Sequence, residues 1–279
     1  MLVTMKEILD KAKAGGYAVA APNVDNEHNV RVCIEAAEEM NSPIILGVPY
    51  FANIDICYLG RIIGDLAIRS KVPVAFNLDH GASYENCVMA IRAGFTSIMV
   101  DRSSLPYEEN VAQVKELVKI AHAVGVSVEA ELGHVGSGDN YAVDGVSALT
   151  VPEEAVKYVE ETGVDCLAVA IGTAHGVYKG EPKIRFDLLK ELHEKVSVPL
   201  VLHGGSGTGD ENLSRCAREG INKVNLSNEL KRAAVEELNA NDLSGNGIYG
   251  FYRYLAKGFK DKLIQNIELL GSKGKAENW

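Results

Sequence analysis

The sequence predicts an α/β fold, a (β/α)8 TIM barrel with an extra N-terminal helix and a C-terminal helical extension. Three observations predict it. Eight short β-branched or apolar runs recur along the chain, each at most seven residues long, as buried parallel strands do. Amphipathic helical segments separate the runs, and no linker interrupts the alternation. Eight is also the count that closes such a barrel.

The elements follow in order. "MLVTMKEILDKAKAGG" places apolar residues at helical spacing among lysines and a glutamate, a helix ahead of the barrel. The strands are "YAVAAP" (17–22), "PIILGV" (43–48), "VPVAFNL" (72–78), "TSIMV" (96–100), "VSVEAEL" (126–132), "DCLAVAI" (165–171), "VPLVLH" (198–203) and "INKVNL" (221–226). Among the intervening helices are 26–40, 109–123, 152–162 and 186–195. Gly94, Gly125, Gly163 and Gly220 stand where a left-handed residue closes a helix before the next strand. After residue 240 a loop, "NANDLSGNGIYG", leads into a basic helix, "FYRYLAKGFKDKLIQNIELLG". One domain over 1–279 is expected, with the barrel over about 15–240 and the extension over about 241–279. The open doubly wound sheet is the rival architecture, and the first strand lacks the GxGxxG that would favour it.

Composition narrows the function. At 279 residues and 47% hydrophobic content the chain can bury a large core. Its net charge of −10 and lack of a basic run argue against nucleic acid, though not against an anionic metabolite. No stretch approaches the roughly 18 apolar residues of a membrane span, and the N-terminus lacks signal-peptide features, so a cytoplasmic location is expected. Cys33, Cys57, Cys87, Cys166 and Cys216 are scattered, odd in number and without a CxxC, which reads as reduced, buried thiols.

In such barrels chemistry sits at the carboxyl ends of the strands. Polar residues occupy nearly all of them here. The first strand ends on Asn23, the third on Asp79 and His80, the fourth on Asp101, the seventh on His203 and the eighth on Asn225. The fifth carries Glu129 and Glu131, and the sixth leads into "GTAHGVYKG" with His175. Taken alone, "DHG" could be a solvated turn; the ring of polar ends speaks against that. His80, His175 and His203 can converge as a Zn2+ site with an open fourth position. His28, His122 and His193 fall within helices and read as solvated or half-buried, while the place of His134 stays open. "HGGSG" (203–207) and "NLSN" (225–228) follow strands seven and eight, the loops that cradle phosphate in this architecture, and Gly176 and Lys179 can add an amide and a cation. Metal beside phosphate suggests Lewis-acid chemistry on a phosphorylated carbonyl compound.

The stretches "NLDHG", "EENVAQVKELVKIAH", "VEAELG", "AVAIGTAHGVYKGEPKIRFDLL", "VPLVLHGGSG" and "KVN" carry a resemblance to the class II, zinc-dependent fructose- and tagatose-bisphosphate aldolases. The resemblance implies that His80, His175 and His203 bind the catalytic Zn2+, with Glu131 and Asp101 at an alternative metal position or beside it. It implies Asp79 as the acid/base for the C4 hydroxyl. Asn23, Gly176, Lys179, Gly204, Ser206, Asn225, Ser227 and Asn228 would face the substrate, the glycine loops holding its dihydroxyacetone phosphate half. A monovalent cation (Na+ or K+) near the phosphate is implied too, as is a homodimer or homotetramer. A second acid/base belongs on the loop after the fifth strand, where Asp139 is the nearest counterpart.

The implied reaction is reversible aldol cleavage of fructose or tagatose 1,6-bisphosphate to dihydroxyacetone phosphate and glyceraldehyde 3-phosphate. Departures cluster in the other half of the site. Gly47 stands where relatives commonly have serine, Arg102 replaces a glycine, and Asn266 stands where many relatives carry an arginine. A ketose 1-phosphate with a different aldehyde is therefore the alternative. Two rivals are weaker. A Schiff-base aldolase needs a strand-end lysine, and Lys223 lies inside the eighth strand. A non-catalytic sugar-phosphate binder would have no use for Asp79.

Overall fold

The computed structural model describes residues 1–50, 55–137, 149–277 and 279. The strands are β1 (Val19–Pro22), β2 (Ile44–Pro49), β3 (Val74–Gly81), β4 (Ser97–Val100), β5 (Ser127–Leu132), β6 (Cys166–Val169), β7 (Leu200–Leu202) and β8 (Ile221–Leu226). All pair in parallel, in the order β1-β8-β7-β6-β5-β4-β3-β2. A bridge between Asn23 and Gly47, with Val24 N–H donating to the Gly47 carbonyl at 2.8 Å, joins the two ends. The sheet is therefore a nearly closed barrel, and the open-sheet alternative falls. Around it run α1 (Met5–Gly15), α2 (Glu27–Glu39), α3 (Ile56–Arg69), α4 (Tyr84–Arg92), α5 (Tyr107–Ala123), α6 (Pro152–Thr162), α7 (Phe186–Lys195), α8 (Asp210–Arg218), α9 (Asn228–Asn239) and α10 (Phe251–Leu270).

Alternation along each strand divides the core in two. Residues such as Phe76, Leu78, Val128, Ala130, Leu202 and Val224 pack with the helices in the outer shell. Their neighbours Val19, Ile45, Ala75, Met99, Cys166 and Val201 fill the barrel interior together with Met5, Ile8, Leu9 and Ala12 of α1. The N-terminal helix is thus a plug for the amino end of the barrel. A capping box starts it, with Thr4 accepting from Glu7 N–H and Glu7 accepting from Thr4 N–H. Burying each large apolar side chain of the plug is worth about 1.5–3 kcal/mol. Lys13 Nζ fastens the far end by donating to the carbonyls of Val196, Ser197 and Val198, each at 2.8 Å.

At the other terminus a 3-10 turn (Gly245–Gly250) leads into α10, which packs on α9 and α2. Cys33, Cys87, Cys166 and Cys216 are buried as expected, but Cys57, in the first turn of α3, is only half-buried. Among the described residues no helix is long and apolar enough to cross a membrane.

Candidate active site

The carboxyl ends of the strands surround a cavity of about 610 Å3. Asp79 and His80 both line it, although neighbours in a regular strand point to opposite faces. The backbone explains how. His80 has φ +51°, one of two non-glycine residues with positive φ among those described, and the β3–β4 register shifts between Leu78 and Gly81. Gly81 fits the resulting close approach, because a Cβ there would lie 2.5 Å from the Met99 carbonyl oxygen. The buried guanidinium of Arg102 holds this exit: Nη1 donates to the carbonyls of Gly81 (2.9 Å), Ala82 (3.0 Å) and Asp101 (2.6 Å), and Nε donates to Gln113 (2.6 Å).

Three imidazoles meet in the cavity. Ring centroids lie 4.6 Å apart for His80 and His203, 4.9 Å for His80 and His175, and 5.6 Å for His175 and His203. His80 Nδ1 is 2.8 Å from Asp101 Oδ2, whose other oxygen accepts from Ser103 N–H and Oγ–H. His203 Nε2 is 2.8 Å from Glu129 Oε1, and Glu129 Oε2 accepts from Lys223 Nζ at 2.6 Å. His80 Nε2 and His203 Nδ1 face each other at 3.0 Å. His175 Nε2 is buried with no hydrogen-bond partner among the described residues.

The acids are held in distinct states. Asp79 accepts from Asn23 Nδ2 at 2.8 Å and from Asn225 Nδ2 at 2.9 Å. Burial alone would raise its pKa, but His80, His203, Lys223 and Asn23 outweigh that and bring the carboxyl down to about 2. Asp101 is likewise held well below the carboxylate range, its burial outweighed by His80 and Ser103. Burial would also raise Glu129, and Lys223 and His203 keep it below its ordinary value. For Glu131, 1% exposed, burial wins and the pKa rises; Oε1 accepts from Val135 N–H at 2.9 Å, and Oε2 is buried without a partner among the described residues.

The glycine loops form one end of the cavity. Gly204 has φ +68°, and a Cβ there would stand 2.3 Å from the Ala174 carbonyl oxygen. The Tyr178 hydroxyl ties the two loops together, accepting from Ala174 N–H (2.8 Å) and donating to the Gly204 carbonyl (2.9 Å). Ser206 Oγ accepts from Ser227 N–H at 3.0 Å, and Gly176, Gly204, Ser206, Ser227 and Asn228 all line this end.

Of the residues singled out in the sequence, the cavity thus gathers Asn23, Asp79, His80, Asp101, Glu131, His175, Gly176, Gly204, Ser206, Asn225, Ser227 and Asn228, with His203 buried just behind. Lys179 is exposed and does not line it, and Asp139 lies outside the described residues. His134 joins the wall, 3.9 Å from Glu131. Sequence reading missed Lys231, which lines the cavity and pairs with Asp25 at 3.2 Å, along with the parts played by Arg102, Tyr178, Glu129 and Lys223. The i, i+2 spacing of Glu129 and Glu131 was the one usable signal, since it puts both on a single strand face.

The family model for class-II fructose-bisphosphate aldolase matches residues 3–275. The chain belongs to the class-II fructose-bisphosphate aldolase family. Fructose-bisphosphate aldolases of Geobacillus stearothermophilus and Staphylococcus aureus are 41% and 40% identical to it, each over 99% of both chains. The crystal structure of the YdjI aldolase from Escherichia coli K12 superposes with a TM-score of 0.89 at 36% identity, covering 99% of this chain and all of that one. As a class-II aldolase the protein is a carbon–carbon lyase whose substrate is a phosphorylated sugar.

Class-II aldolases depend on a metal, and the residues present suit one. His80, His175 and His203 offer ring nitrogens that all lie within 4.8 Å of one another, and His80, Asp101 and Glu131 form a second such group. The buried Nε2 of His175, without a partner among the described residues, suits a bound ion. Three imidazoles form a donor set typical of catalytic zinc.

Proposed function

We propose that the protein catalyses reversible, zinc-dependent aldol cleavage of a ketose bisphosphate, fructose or tagatose 1,6-bisphosphate, to dihydroxyacetone phosphate and glyceraldehyde 3-phosphate. The observation that carries the reading is the ionised, buried Asp79, aimed by Asn23 and Asn225 at the place where three imidazoles converge. His80, His175 and His203 would hold the zinc, which supplies Lewis-acid polarisation of the ketose carbonyl and adjacent hydroxyl. Asp101 and Glu131 stand beside that position.

The protein's own groups account for the proton traffic. Asp79 takes the C4 hydroxyl proton as the C3–C4 bond breaks, the bonding pair passes to C3, and the C4 oxygen becomes the aldehyde carbonyl. Its depressed pKa keeps it ionised, with an oxygen open to a proton, at neutral pH, and its two amide donors fix its orientation. A second acid then protonates C3 of the enediolate, a role we assign to Asp139. Gly176, Gly204, Ser206, Ser227 and Asn228 would cradle the C1 phosphate, with a monovalent cation (Na+ or K+) beside it.

One observation favours a second reading. The half of the mouth built by the loops after β2 to β5 presents Pro49, Tyr50, Ala82, Ser103, Ser104 and His134, with no lysine or arginine among the described lining residues there. Arg102 is committed to backbone carbonyls, and segments 51–54 and 138–148 contain neither lysine nor arginine. A ketose 1-phosphate with an uncharged hydroxylated tail suits such a wall better than a second phosphate.

Coupled assay of dihydroxyacetone phosphate release by the zinc-loaded enzyme, with and without EDTA, tests both readings. EDTA-sensitive cleavage of either bisphosphate supports the first, and cleavage restricted to ketose 1-phosphates supports the second. Binding of the bisphosphates and ketose 1-phosphates without turnover of any would overturn the catalytic assignment.

A further inference from the structure

Glu129 and Lys223 lie within the barrel, beneath the cavity rather than on its wall. They are 0% and 1% exposed, in an interior that holds Val19, Ile45, Ala75, Met99 and Val201, with the buried Asn77 Nδ2 donating to Glu129 Oε2 at 3.5 Å. Apolar residues fill such positions at lower cost than a buried ion pair, so packing does not account for this one.

The pair has a geometric consequence. With Lys223 Nζ at 2.6 Å from one oxygen, Glu129 is a carboxylate and can only accept. Its other oxygen is 2.8 Å from His203 Nε2, so that nitrogen carries hydrogen. A neutral His203 ring then keeps its lone pair on Nδ1, the atom that faces His80 at 3.0 Å. We infer that Lys223 and Glu129 are a positioning pair that fixes His203 in the Nε2–H tautomer and presents the Nδ1 lone pair to the cavity. Its use in holding a metal rests on the function proposed above; the tautomer does not.

The test is nitrogen-15 NMR of the histidine rings in the metal-free, full-length protein, joined to zinc affinity by chelator competition. Wild-type His203 is expected to show a protonated Nε2 and a pyridine-like Nδ1. Glu129→Gln leaves one amide oxygen to serve both Lys223 and His203, so the tautomer mixes or inverts and zinc affinity falls about 10–100-fold. Lys223→Arg keeps the charge and is expected to keep the wild-type tautomer, which guards against a variant that merely fails to fold. A protonated Nδ1 on wild-type His203 would overturn the inference. So would a Glu129→Gln protein whose tautomer is unchanged. Absence of zinc binding by the wild type would instead sink the metal reading, while the ring shifts still decide the role of the pair.

Discussion

His80 Nε2 and His203 Nδ1 stand 3.0 Å apart, and each ring is backed by a carboxylate on its far side, Asp101 for His80 and Glu129 for His203. A hydrogen must lie between the two nitrogens. His80 supplies it, because Asp79, Asp101 and Glu131 together outweigh burial and raise its pKa to about 9. The contact links five residues, Asp101, His80, His203, Glu129 and Lys223, into one chain of hydrogen bonds reaching from the cavity into the barrel.

If His80 holds the proposed metal, uptake must expel its proton. Apparent zinc affinity is expected to rise about tenfold per pH unit up to pH 9 and then level off. The stability of the metal-free protein follows the same group with opposite consequence. A folded pKa raised above the ordinary 6.5 contributes stability that is fully present below pH 6.5 and is lost as pH rises through about 9. Chelator competition and thermal melts between pH 6 and 10 check both; a flat affinity profile would show that His80 is already neutral.

Removing the charge of Asp79 tests the proton-acceptor role proposed for it. Asp79→Asn keeps the shape facing Asn23 and Asn225 and is expected to lower kcat about 10²–10⁴-fold. Zinc content should stay near one ion per chain, as measured by atomic absorption. Loss of metal together with activity would make Asp79 a scaffold for the histidines rather than the base.

Arg102 holds the strained exit of β3 by three carbonyls. Arg102→Ala leaves those buried acceptors unpaired, and a destabilisation of about 2–4 kcal/mol is expected from denaturant melts. Zinc affinity should fall too, since the same turn carries His80.

Two glycine substitutions should separate by sign. Gly204→Ala meets a backbone oxygen at 2.3 Å in a left-handed conformation, and a loss of more than about 2 kcal/mol is expected, with a raised KM. Gly64, inside α3, has nothing within 4 Å of an added Cβ. Gly64→Ala is expected to stabilise by about 0.5–1 kcal/mol. Melting curves of the two variants against wild type decide it.

Thiol labelling reports burial directly. Burial pushes Cys87 up to about 11 and Cys216 up to about 12, so at pH 8 at most about one Cys87 in a thousand is thiolate. Cys57, half-buried at the start of α3, is expected to be the first site alkylated by iodoacetamide, as peptide mass mapping would show.

Strand and helix positions were legible in the chain because their signal is local. Apolar runs, helical periodicity and closing glycines depend on neighbours within one turn or one strand, and all eight predicted runs became strands. The same locality located most of the cavity, since a barrel places strand ends on one rim and the polar residues stood at those ends. What the sequence by itself determined was therefore the barrel, its rim and the inventory of reactive groups. Only the tertiary structure decided how those groups meet. Asp79 and His80 share a cavity through a positive φ and a register shift that strand alternation does not foretell. Lys179, three residues beyond the cavity-lining Gly176, falls outside the cavity, while Lys231 reaches its wall from the first turn of α9. Glu129 and Lys223 pair across 94 residues. Such contacts depend on barrel closure and stagger, which set the partners across the interior and leave no mark on the spacing of residues along the chain.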